Sequence, residues 1–208
     1  MNRSELLEAS SELARRSPAV AKIVAREGPA AIGIGRPRRT HFAELARAIC
    51  SQQLAVAAAR AIHSRFEALY GGSPTAAAVL VTDEASLRGV GLSAAKVAAI
   101  RDLATRVTSG SLSLARIGAK PDEDVVGALV QVRGIGRWTA EMFLIFQLGR
   151  PDVWPVDDLG VRRGYAILHG RAALPSTRDL DVLGEEFRPY RSVAAWYCWR
   201  AVAPSAPV

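Results

Sequence analysis

Gly134-Ile135-Gly136 lies between two amphipathic helical patterns, in the stretch Leu129 to Ala140 (LVQVRGIGRWTA). Glycine on both sides of a tight turn admits positive φ and close backbone approach. Ile135 can plug the space between the two helices. The N–H groups of Gly136 and Arg137 then open a new helix, and such a helix start holds a phosphate well. The same triplet also serves as a plain structural turn between packed helices, and both readings stand at this level. Arg133 and Arg137 beside it favour an anion.

A second stretch follows at once, Pro151 to Arg163 (PDVWPVDDLGVRR). Asp157 and Asp158 precede a helical pattern in an apolar setting of Trp154, Val156, Leu159 and Val161. A carboxylate at a helix start is favoured by the helix dipole. One of the pair is therefore expected to act as an ordinary N-cap. The chemical reading is an anionic group that stabilises developing positive charge.

Helices must position both features. Periodicity predicts short helices over Leu6–Arg16 and Ala19–Arg26, the second entered through Ser17-Pro18. Apolar residues then recur at helical spacing from Phe42 to Tyr70. Further helices are expected over Thr75–Val81, Glu84–Gly89, Ser93–Ser109, Asp122–Gln131, Arg137–Leu148, Asp158–Leu168, Thr177–Phe187 and Ser192–Val202. No strands pair into a hairpin, so the class is all-α. Gly33-Ile34-Gly35 precedes Arg36-Pro37 and reads as a loop. Gly89-Val90-Gly91 repeats the helix–turn–helix pattern. The tail Ala203–Val208 is expected to fray.

The chain has 208 residues, with 27 Lys+Arg against 20 Asp+Glu for a net charge of +7. Its apolar fraction of 50% is too high for a disordered chain. The basic balance points to a polyanion. The lysines are Lys22, Lys96 and Lys120, and every other cationic residue is arginine. Two cysteines, Cys50 and Cys198, are too few for a disulfide framework or a four-cysteine iron–sulfur cluster. Both are expected to be buried thiols. His41, His63 and His169 show no ligand spacing. No export signal or membrane span is evident, so a soluble intracellular protein is expected.

RGIGRWTA followed by WPVDDLGVR resembles the helix-hairpin-helix DNA glycosylase superfamily, and most closely its alkyl-base branch of 3-methyladenine DNA glycosylase II type. The resemblance extends to Ala48–Leu54 (AICSQQL), Leu87–Lys96 (LRGVGLSAAK) and Arg188–Arg200 (RPYRSVAAWYCWR), and so covers roughly residues 20–200. It implies a two-lobed all-α fold with the active site in the interlobe cleft. Residues 1–39 would pack with the C-terminal lobe, 40–150 would form a central bundle ending in the hairpin, and 151–208 would carry the catalytic acid. The N-terminal α/β domain of larger members is expected to be missing, which suggests a more open site.

The same resemblance implies the site. Counting the family's spacing from Gly134 lands on Asp158 as the catalytic aspartate. Asp157 is the alternative, because other branches carry V-D here. Gly134, Gly136, Arg137 and Thr139 would hold DNA phosphate. The backbone carbonyls of Val130, Val132 and Ile135 match positions that bind a monovalent cation, Na⁺ or K⁺. Gln53 falls at the wedge position that fills the vacated base stack, with Leu54 as second candidate. Trp138, Met142 and Trp199 match base-pocket positions. Strand-cleaving members carry a lysine where this chain has Trp138, so no lyase activity is expected.

The function implied is a monofunctional DNA glycosylase that excises alkylated purines from duplex DNA. It would need no cofactor, hold no iron–sulfur cluster, act as a monomer, and reside in the bacterial cytoplasm or a nucleus. Two other readings stay open: a non-catalytic relative that recognises lesions, and a glycosylase for deaminated bases.

Overall fold

The computed structural model describes residues 1–35 and 39–202. Arg36, Pro37 and the tail Ala203–Val208 lie outside the described residues, so the expectations on them are not addressed. In chain order the helices are α1 (Arg3–Arg16), α2 (Pro18–Glu27), α3 (His41–Ser51), α4 (Val56–Ala68), α5 (Ala76–Val81) and α6 (Glu84–Gly89), then α7 (Ala94–Thr108), α8 (Asp122–Leu129), α9 (Arg137–Phe146), α10 (Leu159–Leu168), α11 (Thr177–Leu183) and α12 (Arg191–Val202). Short 3-10 helices cover Ile117–Ala119 and Gly184–Phe187. No strand occurs among the described residues.

The chain divides into two compact units, one of Met1–Arg36 with Leu144–Val208, the other Pro37–Phe143. The division falls inside α9.

In the unit of Pro37–Phe143, α3 buries Phe42, Leu45, Ala46, Ile49 and Cys50, and α7 buries Val97, Ala99, Ile100, Leu103 and Ala104. Val125, Val126 and Leu129 of α8 complete a core with Phe66 and Ile117. Full burial of the Val, Leu, Ile and Phe side chains among them contributes about 1.5–3 kcal/mol each, which fixes these helices against one another. Ser93 caps α7 through the Lys96 N–H at 3.3 Å, as its residue type predicts.

The periodicity from Phe42 to Tyr70 is carried by two helices. The chain breaks at residues 52–55, where Gln53 adopts a left-handed φ of 56°. Apolar spacing continues across the break, so periodicity alone does not reveal it.

In the other unit, Leu6, Ala9 and Leu13 of α1 and Val20 and Ile23 of α2 are buried, together with Tyr165 of α10 and Ser192–Cys198 of α12. The buried Tyr197 hydroxyl donates to the Gly28 carbonyl at 3.0 Å. The Trp154 indole N–H donates to Leu180 O at 2.8 Å, and the Ser192 hydroxyl accepts the Val153 N–H at 2.9 Å. These bonds anchor the irregular segment leading to Asp158. Trp154 and Trp196 are core residues. The last turn of the Thr177–Phe187 pattern is 3-10 rather than α.

Candidate active site and DNA-binding hairpin

The hairpin forms because α8 stops at Leu129 and the chain tightens. Val132 N–H donates to Leu129 O at 3.0 Å, and Ile135 N–H donates to Val132 O at 3.0 Å. Gly134 has φ of 79°, and a Cβ there would meet the Ala99 Cβ at 3.3 Å. The positive φ calls for glycine, and the space beside Ala99 is tight for any added Cβ. Val132 and Ile135 are buried, whereas Gly134, Gly136 and Arg137 are exposed. Ala140 N–H donates to Gly136 O at 3.1 Å and begins α9. The amides that open α9 thus lie on an exposed turn, the geometry that receives an anion.

The side chains around this turn are less open than its backbone. The Arg137 guanidinium bonds Glu123 at 2.5 and 3.1 Å and Glu141 at 3.1 Å. The Arg137 hydrogen bond holds the Glu123 carboxyl below the usual carboxylate range. Any phosphate must compete with these acids for the guanidinium, so the Arg137 amide is its better contact. Thr139 is only 6% exposed.

Two side chains that the sequence reading did not single out hold this turn. Asp102 accepts the Arg133 N–H at 2.8 Å. Burial opposes its charge, but the Arg133 amide and Arg106 keep the Asp102 carboxyl below its ordinary value. Gln52 donates through Nε2 to Gly134 O at 2.8 Å. Their partners lie 31 and 82 residues away, so no local pattern could have found them. Next to Gln52 in the chain, Gln53 and Leu54 are exposed, with Leu54 38% accessible. Trp138 is 45% exposed, and Met142 follows it one turn later on α9.

In the other unit the two acids differ sharply. Asp157 is exposed, whereas Asp158 is 9% exposed. Asp158 is the N-cap of α10, its Oδ1 accepting the Val161 N–H at 2.8 Å. The Trp199 indole N–H donates to the same oxygen at 3.0 Å. Trp199 stacks on Phe146, with ring centroids 5.6 Å apart and planes 30° apart. A Cβ on Gly160 would lie 2.9 Å from Trp199 Cδ1 and 3.0 Å from Asp158 Oδ1. Glycine is what lets the indole reach the carboxylate. N-capping and a fixed carboxyl group are thus combined in one residue.

Residues 46–188 match the HhH-GPD superfamily of base excision DNA repair proteins. The chain belongs to this superfamily. It is 37% identical over 177 residues to DNA-3-methyladenine glycosylase 1 of Schizosaccharomyces pombe, spanning 81% of this chain and 78% of that one. The structure of the S. pombe 3-methyladenine DNA glycosylase in complex with abasic DNA superposes with a TM-score of 0.81 at 34% identity, over 93% of this chain and 95% of that one. A DNA-3-methyladenine glycosidase from Bacillus halodurans gives 0.77 at 33% identity, over 90% of each chain.

The all-α HhH-GPD fold is that expected from the sequence. Among the described residues no cluster of His, Cys, Asp and Glu could hold a metal ion. Cys50 and Cys198 are buried free thiols, and burial pushes Cys50 up to about 12. No helix among the described residues is long and apolar enough to cross a membrane.

Proposed function

We propose that the protein is a monofunctional DNA glycosylase of the 3-methyladenine type, acting on alkylated purines in duplex DNA during base excision repair. The observation that carries the reading is the buried Asp158 carboxylate, fixed at the start of α10 by the Val161 amide and the Trp199 indole. It sits in a chain of the HhH-GPD superfamily whose relatives are named 3-methyladenine glycosylases.

A base inside a duplex is out of reach, so the nucleotide rotates out of the stack at a cost of a few kcal/mol. The amides of Gly134, Gly136 and Arg137 hold backbone phosphate, and the buried Thr139 supports the turn from beneath. Gln53, or Leu54 beside it, fills the vacated stack. Breaking the N-glycosidic bond builds positive charge on the sugar, as in other glycoside hydrolysis. Asp158 stabilises that charge and orients the attacking water. Alkylated purines that already carry positive charge leave readily, so no strong general acid is needed. Such a cation gains about 0.5–2 kcal/mol from an aromatic face. Trp138, with Met142, supplies pocket surface. Trp199 acts on Asp158 through its N–H.

The carbonyls of Val130, Val132 and Ile135 would hold a Na⁺ or K⁺ ion. Backbone carbonyls are hard oxygen donors suited to such a cation. Val132 O spends one of its two lone pairs on the Ile135 N–H, and the other stays available to the ion. A cation there would supply positive charge beneath the phosphate. The protein acts as a monomer on damaged DNA, in the cytoplasm of a bacterium or in a nucleus.

Release of 3-methyladenine and 7-methylguanine from methylated duplex DNA tests the reading. Wild-type protein is expected to release both, Asp157→Asn to retain release and Asp158→Asn to lose it. Tight binding of damaged DNA without release would instead identify a lesion-recognition protein. Loss in Asp157→Asn alone would move the catalytic role by one residue.

A further inference from the structure

Three residues on one face of α7 reach the last turn of α3 and the hairpin. Lys96 donates through Nζ to Cys50 O at 2.7 Å, near the end of α3. Ala99, one turn on, packs closely enough that a Cβ on Gly134 would come within 3.3 Å of its own Cβ. Asp102, three residues further, accepts the Arg133 N–H at 2.8 Å. Spacing of three residues keeps these side chains on adjoining parts of the helix surface. The α7 helix therefore sets the end of α3 and the hairpin against a common support.

Gln52 closes the arrangement. It is the C-cap of α3, with φ −54° and ψ 136°, and its side chain spans to Gly134 O. Immediately after it, Gln53 holds a left-handed φ of 56°. A non-glycine residue in that conformation is strained, and neighbouring contacts must hold it there. The Gln52–Gly134 bond is the contact next to it in the chain. α4 starts at Val56 with no side-chain cap at Ala55, so this end of the turn has no equivalent tie from its own cap residue.

We infer that Gln52 is a positioning residue that couples the wedge turn to the phosphate-binding hairpin, so that gripping the backbone fixes Gln53 for extrusion of the base. The inference rests on the glycosylase reading above and adds a coupling between its two DNA contacts. Lys96 and Asp102 support the same geometry from α7. Gln52 itself touches neither base nor sugar in this account. Its loss should weaken the opening of a paired base and leave cleavage of an already unpaired base unchanged.

The test uses the full chain and 7-methylguanine at one defined position. Single-turnover release is measured for the lesion opposite cytosine and for the same lesion opposite an abasic-site analogue, where little pairing must be broken. Gln52→Met keeps the side-chain length and removes the donor. It is expected to slow release from the paired duplex about three- to tenfold, the scale of one hydrogen bond, with little change on the unpaired lesion. Lys96→Met, which cuts the second tie, should shift the paired-to-unpaired ratio in the same direction. In the Gln53→Ala background, Gln52→Met should cost less than it does alone. Equal slowing on both substrates, or full additivity with Gln53→Ala, would overturn the inference. Absence of release by wild-type protein from either substrate would instead overturn the glycosylase reading.

Discussion

The Trp199 indole N–H and the Val161 amide meet on one oxygen, Oδ1 of Asp158. The tryptophan thus has a polar task besides its stack on Phe146. Trp199→Phe keeps a ring on Phe146 and removes the donor. Hydrogen bonds to a charged group contribute about 1.5–3 kcal/mol. Single-turnover excision is therefore expected to fall by roughly 10- to 100-fold. Because Trp199 acts here through Asp158, the loss should be similar for cationic 7-methylguanine and neutral hypoxanthine. A loss confined to cationic bases would mean that the ring acts on the base instead.

Gly160 is where the same arrangement is least tolerant. Gly160→Ala places a Cβ 2.9 Å from Trp199 Cδ1 and 3.0 Å from Asp158 Oδ1. Alanine is the better helix former by up to about 1 kcal/mol, so propensity and site geometry oppose each other. Excision is expected to drop about tenfold or more while thermal unfolding shifts by only a few degrees. Unchanged excision would show that the indole and carboxylate can separate without cost.

The fold was largely legible because each helix carries its own apolar period and most carry a recognisable cap, as at Ser93 and Asp158. The site's hairpin and acid were legible for the same reason, since each lies in a contiguous run. The supports were not. Asp102, Gln52 and Lys96 each act on a backbone atom more than 30 residues away. Their residue types are ordinary for solvated positions. The break at Gln53 escaped because hydrophobic spacing is blind to a single left-handed residue.

Acid should destabilise the protein before its carboxylates titrate fully. Burial lowers the affinity of His41, His63 and His169 for protons, with Glu67 opposing the effect at His63. Their folded values lie below the unfolded value of about 6.5. The unfolded state then binds more protons as pH falls through that window. The stability is fully present above pH ~6.5 and is lost as pH drops through the folded values. Urea midpoints should decline between pH 7.5 and 5.5, and a flat profile would contradict the burial of these imidazoles.

The resemblance sets Trp138 at the position of the lysine of strand-cleaving members. An indole cannot form a Schiff base with the opened sugar. Borohydride added during turnover should trap no covalent protein–DNA adduct, and strand breaks should appear only after alkali. A trapped adduct would require a different amine to serve as nucleophile.

The central claim is that the charge on Asp158 drives base release. Asn is as good an N-cap as Asp, so Asp158→Asn should keep α10 and its unfolding temperature within a few degrees while removing the negative charge. Single-turnover release of 7-methylguanine from duplex DNA, measured beside DNA affinity, tests it most directly. The expected result is a rate at least about 100-fold below wild type, with binding of abasic DNA retained. A variant that releases the base within a few-fold of wild type would contradict the account.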